Sequence, residues 1–163
     1  MSSGGSGTDV PWLDHDEMAA WRGYVESIHS IQADLEDELL GSHGLGVGDY
    51  GVLVHLSEAP DQRLRMCDLA GRLRLSPSGL TRRLDGLVRD GLVAREPAPD
   101  DRRVSLAVLT PKGRRTLEAS APTHVAGVRR HFLDHLTPTQ IRHLGAAFTA
   151  LVAKRDAERG VAI

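Results

Sequence analysis

Two arginines and three hydroxyl side chains crowd one short stretch: Ser76, Ser78, Thr81, Arg82 and Arg83 all fall within LSPSGLTRRLDGLVRDG, Leu75 to Gly91. Hydroxyl and guanidinium groups are donors that satisfy phosphate oxygens, and arginine also makes a bidentate match to the acceptor edge of guanine. That chemistry requires the groups to share one rigid surface. A helix supplies it here. Ser76 is a good N-cap, Pro77 suits the first turn, where its missing N–H is no loss, and Gly91 stands where helices commonly stop. Leu80, Leu84, Leu87 and Val88 recur at i, i+4, i+7 and i+8 as one apolar stripe. At about 100° per residue, Arg82 points almost directly away from the stripe, with Ser78 and Arg89 on its outer side and Thr81 and Arg83 on the flanks. An ordinary amphipathic surface helix would share much of this pattern, so the flanking sequence decides between the readings.

Upstream, Met66, Leu69, Ala70 and Leu73 keep helical spacing within Arg65 to Arg74, and only Arg74 and Leu75 separate that segment from the Ser76 cap. Two short helices joined by so tight a turn form a helix-turn-helix. Downstream, Leu92 to Glu96 and Val104 to Leu109 read as strands joined by Pro97 to Arg103, a hairpin with a long charged tip. Helix, turn, helix and wing in that order predict a second helix lying in the major groove of DNA. The charge agrees with this layout: from Arg63 to Arg115 there are thirteen Lys and Arg against six Asp and Glu, a local +7 set against −9 in the remainder. The near-neutral total of −2 hides a basic centre, and non-specific attraction to phosphates depends on such clusters.

The run LRMCDLAGRLRLSPSGLTRRLDGLVRDGLVAREPAPDDRRVSLAVLTPKG resembles the winged helix-turn-helix of the MarR family of bacterial regulators. Gly91-Leu92-Val93, closing the recognition helix, and Asp101-Arg102-Arg103, running to Leu109-Thr110, carry the likeness most strongly. It extends over all but the first dozen residues. The resemblance implies a homodimer on a pseudo-palindromic operator in double-stranded DNA, most often a repressor released by a small molecule or by oxidation. By position, Arg103 matches the wing arginine that enters the minor groove, where a narrow groove concentrates negative potential, and Asp101 matches the acid that braces it. The expected DNA-contacting set is Arg72 and Arg74 on phosphates, Ser76, Pro77, Ser78, Thr81, Arg82 and Arg83 at the major groove, and Asp101 with Arg103 in the wing.

The fold class that follows is mainly α with a small β-hairpin wing, an α+β winged helix-turn-helix with N- and C-terminal dimerisation helices. We divide the chain into a disordered Gly/Ser-rich tail over 1–12, an N-terminal dimerisation helix over 13–46, the winged domain over 47–110, and C-terminal dimerisation helices over 111–163. Asp14 and Glu17 form a capping pair for a first helix reaching about Leu40, with Met18, Trp21, Val25, Ile28, Leu35 and Leu39 along one face. Asp49 to Ser57 reads as a second helix, and Arg63 to Arg65 as a short strand beside the hairpin. Thr110-Pro111 opens another helix, which Pro122 should kink or break before it resumes through Val125, Val128, Phe132 and Leu136. Thr137 and Gln140 cap a last helix bearing Ile141, Leu144, Phe148, Leu151 and Val152. One thin winged domain has no surface to cover both terminal stripes, so a second copy is expected to cover them.

Other residues carry candidate roles. The resemblance places an effector pocket between the first, second and fifth helices and the winged domain, making Trp21, Arg22, His29 and His55 candidates for a small aromatic or anionic ligand. Plain dimer core is the competing expectation for Trp21. His131 and His135 stand four apart with His124 seven before, a spacing that can hold a metal, yet no Cys or clear acidic ligand joins them; surface histidines are expected, and no metal or other cofactor. Cys67, the one cysteine, is expected to be a small buried helix residue rather than a redox switch; it excludes an internal disulfide and fits a reducing cytoplasm. No apolar run reaches membrane-spanning length. No phosphate-cradling glycine motif, nucleophile elbow or acid/base cluster suggests an enzyme. The alternatives left open are an architectural DNA binder, a metal- or redox-responsive regulator, and a winged helix that binds protein instead of DNA.

Overall fold

Capping groups set where most elements begin. In the computed structural model, which describes residues 10–158, α1 spans His15–His43 and opens on a reciprocal capping box: the Glu17 N–H donates to Asp14 Oδ1 (2.8 Å) and the Asp14 N–H to Glu17 Oε2 (2.9 Å). The expected tail over 1–12 lies outside the described residues except for 10–12, which carry no helix or strand. α1 runs through Gly41 and stops at Gly44, in the left-handed conformation. α2 (Val47–Ser57) starts two residues earlier than Asp49. Its first N–H, that of Val47, donates to the Glu36 carboxylate of α1 at 2.6 Å, so a cap supplied from another helix sets the boundary.

A 3-10 turn over Pro60–Gln62 leads into β1 (Arg63–Arg65), then α3 (Met66–Leu73), α4 (Pro77–Arg89), β2 (Val93–Pro97) and β3 (Ser105–Leu109). The sheet is antiparallel in the order β1-β3-β2, with Leu64 opposite Ala107 and Val93 opposite Leu109. The α4 stripe is buried as its spacing requires: Leu80, Leu84 and Leu87 are at most 2% exposed and join Leu53 and Leu56 of α2, Leu69 of α3 and Ala107 of β3 in one core. Each such leucine contributes roughly 1.5–3 kcal/mol on burial.

The end of α4 is fixed by hydrogen bonds from Gly91 N–H to the Val88 carbonyl (3.0 Å) and from Leu92 N–H to the Leu87 carbonyl (2.8 Å). This is a Schellman arrangement, and Gly91 takes the positive φ of 71° that it demands. The chain is thereby turned directly into β2. After β3 it returns to the same place: Thr110 donates its hydroxyl to the Gly91 carbonyl (2.7 Å) and accepts from the Gly113 N–H (2.9 Å), capping α5 (Pro111–His131). One threonine thus ties the base of the wing to both helices.

α5 does not break at Pro122. The proline removes one donor, leaving the Glu118 carbonyl without its helical partner, but α5 lies along α1 so closely that a Cβ on Gly127 would sit 2.7 Å from Leu35 Cδ2. That packing holds both halves in one helix. The helix stops instead at Phe132, whose φ of −132° and ψ of −67° are not helical, and a 3-10 turn over Leu133–His135 precedes α6 (Pro138–Glu158). Leu136 therefore lies past the helix on whose face it was expected. α6 starts on the Thr137 and Gln140 capping box. No described helix is long and apolar enough to cross a membrane.

Gly113 gives the Thr110 junction a sharp test. A Cβ there would lie 2.0 Å from the Leu92 carbonyl oxygen, a backbone atom that moves only if the wing does. Gly113→Ala should destabilise the fold by at least about 2 kcal/mol in urea titration; a midpoint equal to that of the unsubstituted protein would contradict this junction.

Candidate nucleic-acid interface

The buried stripe of α4 fixes what its opposite face presents. Arg82 is exposed and, among the described residues, makes no ion pair or hydrogen bond. Ser78 is also exposed, its Oγ 3.2 Å from Ser76 Oγ, while the Ser76 hydroxyl accepts from the Gly79 N–H at 3.1 Å as the cap. Pro77 occupies the first turn as its fixed φ allows. Thr81 turns its hydroxyl back to the Pro77 carbonyl (2.9 Å), spending its donor and keeping its acceptor. Arg72 is exposed at the end of α3.

Two of the expected contact residues are engaged elsewhere. Arg83 reaches from the flank of α4 to Asp49 of α2, Nη1 to Oδ1 3.0 Å. It lies so close to Gly48 that a Cβ there would be 2.0 Å from Nη1, so the missing side chain is what admits the guanidinium. Arg74, in the turn between α3 and α4, donates to Asp156 of α6 at 2.5 Å. Both acids are remote in sequence, which is why spacing along α4 gave no hint of them.

In the wing, Asp101 Oδ1 accepts from the Arg103 backbone N–H (3.0 Å) and from its Nε (3.2 Å), and the Arg103 side chain is 92% exposed. The tip is closed by bonds from Val104 N–H to the Asp101 carbonyl and from Ala98 N–H to the Val104 carbonyl. Sequence reasoning missed Arg95. From β2 it bonds the Asp85 carboxylate (2.8 Å) and the Thr81 carbonyl (3.2 Å), fastening the wing to the outer side of α4. Arg65 likewise pairs with Asp100, tying β1 to the wing tip.

The structure does not gather the four effector candidates. Trp21, Arg22 and His29 are exposed along α1, His55 is half-buried on α2, and none lines the open cleft beside Arg82 or the one beside Pro122. Trp21 instead neighbours Tyr24 at 6.0 Å between ring centroids, and Tyr24 neighbours Phe148 of α6 at 6.4 Å, an exposed aromatic cluster. Cys67 is exposed rather than buried: Leu69 and Ala70 take the inward side of α3 and leave it outside, its Sγ 3.5 Å from Asp68 Oδ1.

The three histidines part company. His135 lies in the turn beyond α5. His131 is held by Glu38 (2.8 Å) and Asp34 (3.4 Å) of α1, and the His131 hydrogen bond, helped by Arg130, keeps the Glu38 carboxyl below its ordinary pKa. His124 stacks on Tyr50 at 4.4 Å with Nδ1 sealed from solvent and unpartnered. Among the described residues no group of three or more His, Cys, Asp or Glu side chains is arranged to hold a metal ion.

This architecture has known counterparts. A model described as the MarR family matches residues 43–104. The HTH-type transcriptional repressor YetL of Bacillus subtilis (strain 168) is 31% identical over 123 residues, 74% of each chain. The crystal structure of AbsC, a MarR family transcriptional regulator from Streptomyces coelicolor, is 38% identical, with a TM-score of 0.83 over 91% of this chain and 99% of that one. A second Streptomyces coelicolor MarR family regulator, solved in complex with DNA, is 35% identical, with a TM-score of 0.83 over 90% of this chain and 91% of that one.

Burial of His124 makes stability depend on pH. Desolvation lowers its pKa, so below the ordinary value of about 6.5 the unfolded chain takes up a proton that the folded chain refuses. The contribution is present above that value and is lost as pH falls through the lower folded one. Urea midpoints should therefore drop as the pH falls below about 6.5, and His124→Phe should flatten the drop; an unchanged pH profile in the variant would refute this.

Proposed function

Because the chain belongs to the MarR family of transcriptional regulators, we propose that it binds a pseudo-palindromic operator in double-stranded DNA as a homodimer and acts as a repressor. As a family member it is a regulator and not an enzyme. The observation that carries the reading is Arg82, an unpaired cation on the outer face of a helix whose inner face is locked into the core. With Ser78 beside it, Arg82 reads base edges in the major groove; Arg72 contacts phosphate, and Arg103, held by Asp101, enters the minor groove. Arg95 sets the wing against the helix so that both reach one duplex. The DNA complex of the 35% identical regulator and the repressor name of YetL support this reading.

Dimerisation rests on uncovered apolar surface. Trp21 is 56% exposed, Tyr24 49%, Phe148 41%, Leu151 52% and Val152 51%, and together they span α1 and α6. A contiguous patch of that kind marks an interface. We assign 13–46 and 111–163 to that interface and 47–110 to DNA. Two copies joined there would set two recognition helices about one DNA turn apart, as a palindrome requires. Release follows if a small effector binds more tightly to a dimer with wrongly spaced helices than to the DNA-competent one; Trp21 then serves the interface rather than the effector.

Sedimentation at micromolar concentration should give a dimer, and a monomer would refute the interface. Binding to duplex from upstream of the chain's own gene, against scrambled duplex at two salt concentrations, tests the DNA reading. Strong preference for the upstream duplex is expected, while equal binding to both would point to an architectural role. Arg82→Ala should cost roughly 1–3 kcal/mol of discrimination between the two, whereas Arg103→Ala should weaken binding without unfolding the protein. If Arg82→Ala weakens both duplexes equally, the base-reading assignment fails.

A further inference from the structure

Arg74 occupies a costly place. It follows α3 with φ of 55° and ψ of 34°, the left-handed conformation that glycine adopts without penalty and other residues adopt at a cost. A residue placed there against its backbone preference points to a use for its side chain. That side chain crosses to α6 and bonds Asp156. Asp156 is equally unusual: among the described residues it is the one buried acid, and the one buried residue of α6. The rest of α6 is exposed or partly so, with its apolar stripe uncovered. Among the described residues, the ion pair by which α6 meets the helix-turn-helix is this one, made to the turn that leads into the recognition helix.

We propose that Asp156 is an internal competitor for the DNA phosphate that Arg74 would otherwise engage, so that the position of α6 governs how much of the turn's positive charge is offered to DNA. The inference rests on the DNA-binding reading above. Its physical basis is that a carboxylate and a phosphate oxygen present the same acceptor to one guanidinium. The Arg74 side chain is still 49% exposed while that of Asp156 is only 12% exposed, so the arginine can exchange partners where the acid cannot follow it. A shift of α6 that draws Asp156 away frees Arg74, and one that presses it closer withdraws a phosphate contact. Rearrangement at the uncovered face of α6 is thereby transmitted to the reading head without any ligand touching the winged domain.

The test is the salt dependence of operator binding by the full chain. Asp156→Asn and Asp156→Ala are compared with Glu158→Gln, which removes an exposed charge one half-turn further along α6. Arg74→Asn deletes the cation with a residue that tolerates the left-handed conformation. Asp156→Asn should bind about two- to fivefold more tightly than Glu158→Gln, the span of a half-exposed ion pair. It should also steepen the slope of log affinity against log salt by up to about 0.9, the value for one phosphate. Asp156→Ala should do at least as much, and it keeps the test intact if the asparagine variant retains the bond or folds poorly. In the Arg74→Asn background both substitutions at Asp156 should lose their effect beyond that of Glu158→Gln. Equality of the Asp156 and Glu158 variants overturns the proposal. So does an effect that survives loss of Arg74, or weaker binding with an unchanged melting curve, which would make the pair a brace. Failure of the unsubstituted protein to bind any duplex would sink the DNA reading itself, a different result from each of these.

Discussion

The rotation of α4 about its own axis is the constraint on which the rest depends. Leu80, Leu84 and Leu87 have no solvent contact to speak of, and turning the helix half-way round its axis would expose all three and bury Arg82. Exposing one such leucine forfeits about 2 kcal/mol, and burying an unpaired guanidinium costs more than that. The two penalties act in the same direction. Arg82 therefore faces outward whatever it binds, and the Schellman end at Gly91 fixes where the wing must start relative to it. Thr110 then closes the loop by bonding the Gly91 carbonyl, so helix, wing and α5 share one junction.

Charge is the second organising principle. A local excess of positive charge would be self-repelling if every cation stood alone, and here many do not. Arg83 is paired with Asp49, Arg95 with Asp85, Arg65 with Asp100 and Arg103 with Asp101. Each pair is partly exposed and adds about 1 kcal/mol or less to stability. Their larger effect is geometric: Arg95 and Arg65 fasten the wing at its flank and its tip, and Asp101 stops the long Arg103 side chain from sampling every rotamer. Arg82 is left without an acid, at the site where a base edge is expected to replace one.

Features set by neighbours in sequence were legible, and features set by neighbours in space were not. The Ser76, Thr110, Asp14 and Thr137 caps, the α4 stripe and the hairpin all involve residues a few positions apart, so their geometry follows from backbone rules alone, while the bracing of Arg103 by Asp101 was expected only from the family resemblance. Arg83 could be placed on a helix flank and Arg74 in the turn, and Arg95 was missed; their partners lie 34, 82 and 10 positions away, and no periodicity reports such acids. The continuity of α5 through Pro122 depends on α1 beside it. Cys67 was misplaced for a subtler reason: an eight-residue helix offers few inward positions, and Leu69 and Ala70 fill them. The effector candidates are spread along α1 and α2 without coming together, and what stands around Trp21 is aromatic surface.

That aromatic surface explains why α6 can serve as a lever at all. A helix packed all round by its own chain is held at many points, and no single contact can vary independently of the others. α6 is packed lightly: among the described residues its one buried side chain is Asp156, against Arg74, and its Phe148 meets Tyr24. Its position is consequently set by whatever covers its apolar stripe, which in the proposed assembly is the second copy. A dimer that repacks at that stripe must carry Asp156 with it, because a buried carboxylate cannot swing free of its helix as a long arginine side chain can. Movement at the interface and availability of Arg74 are then the same event seen from two ends of one helix. An effector would need only to bias the packing of two copies, with no contact to the recognition helix, to change what the turn before it offers to DNA.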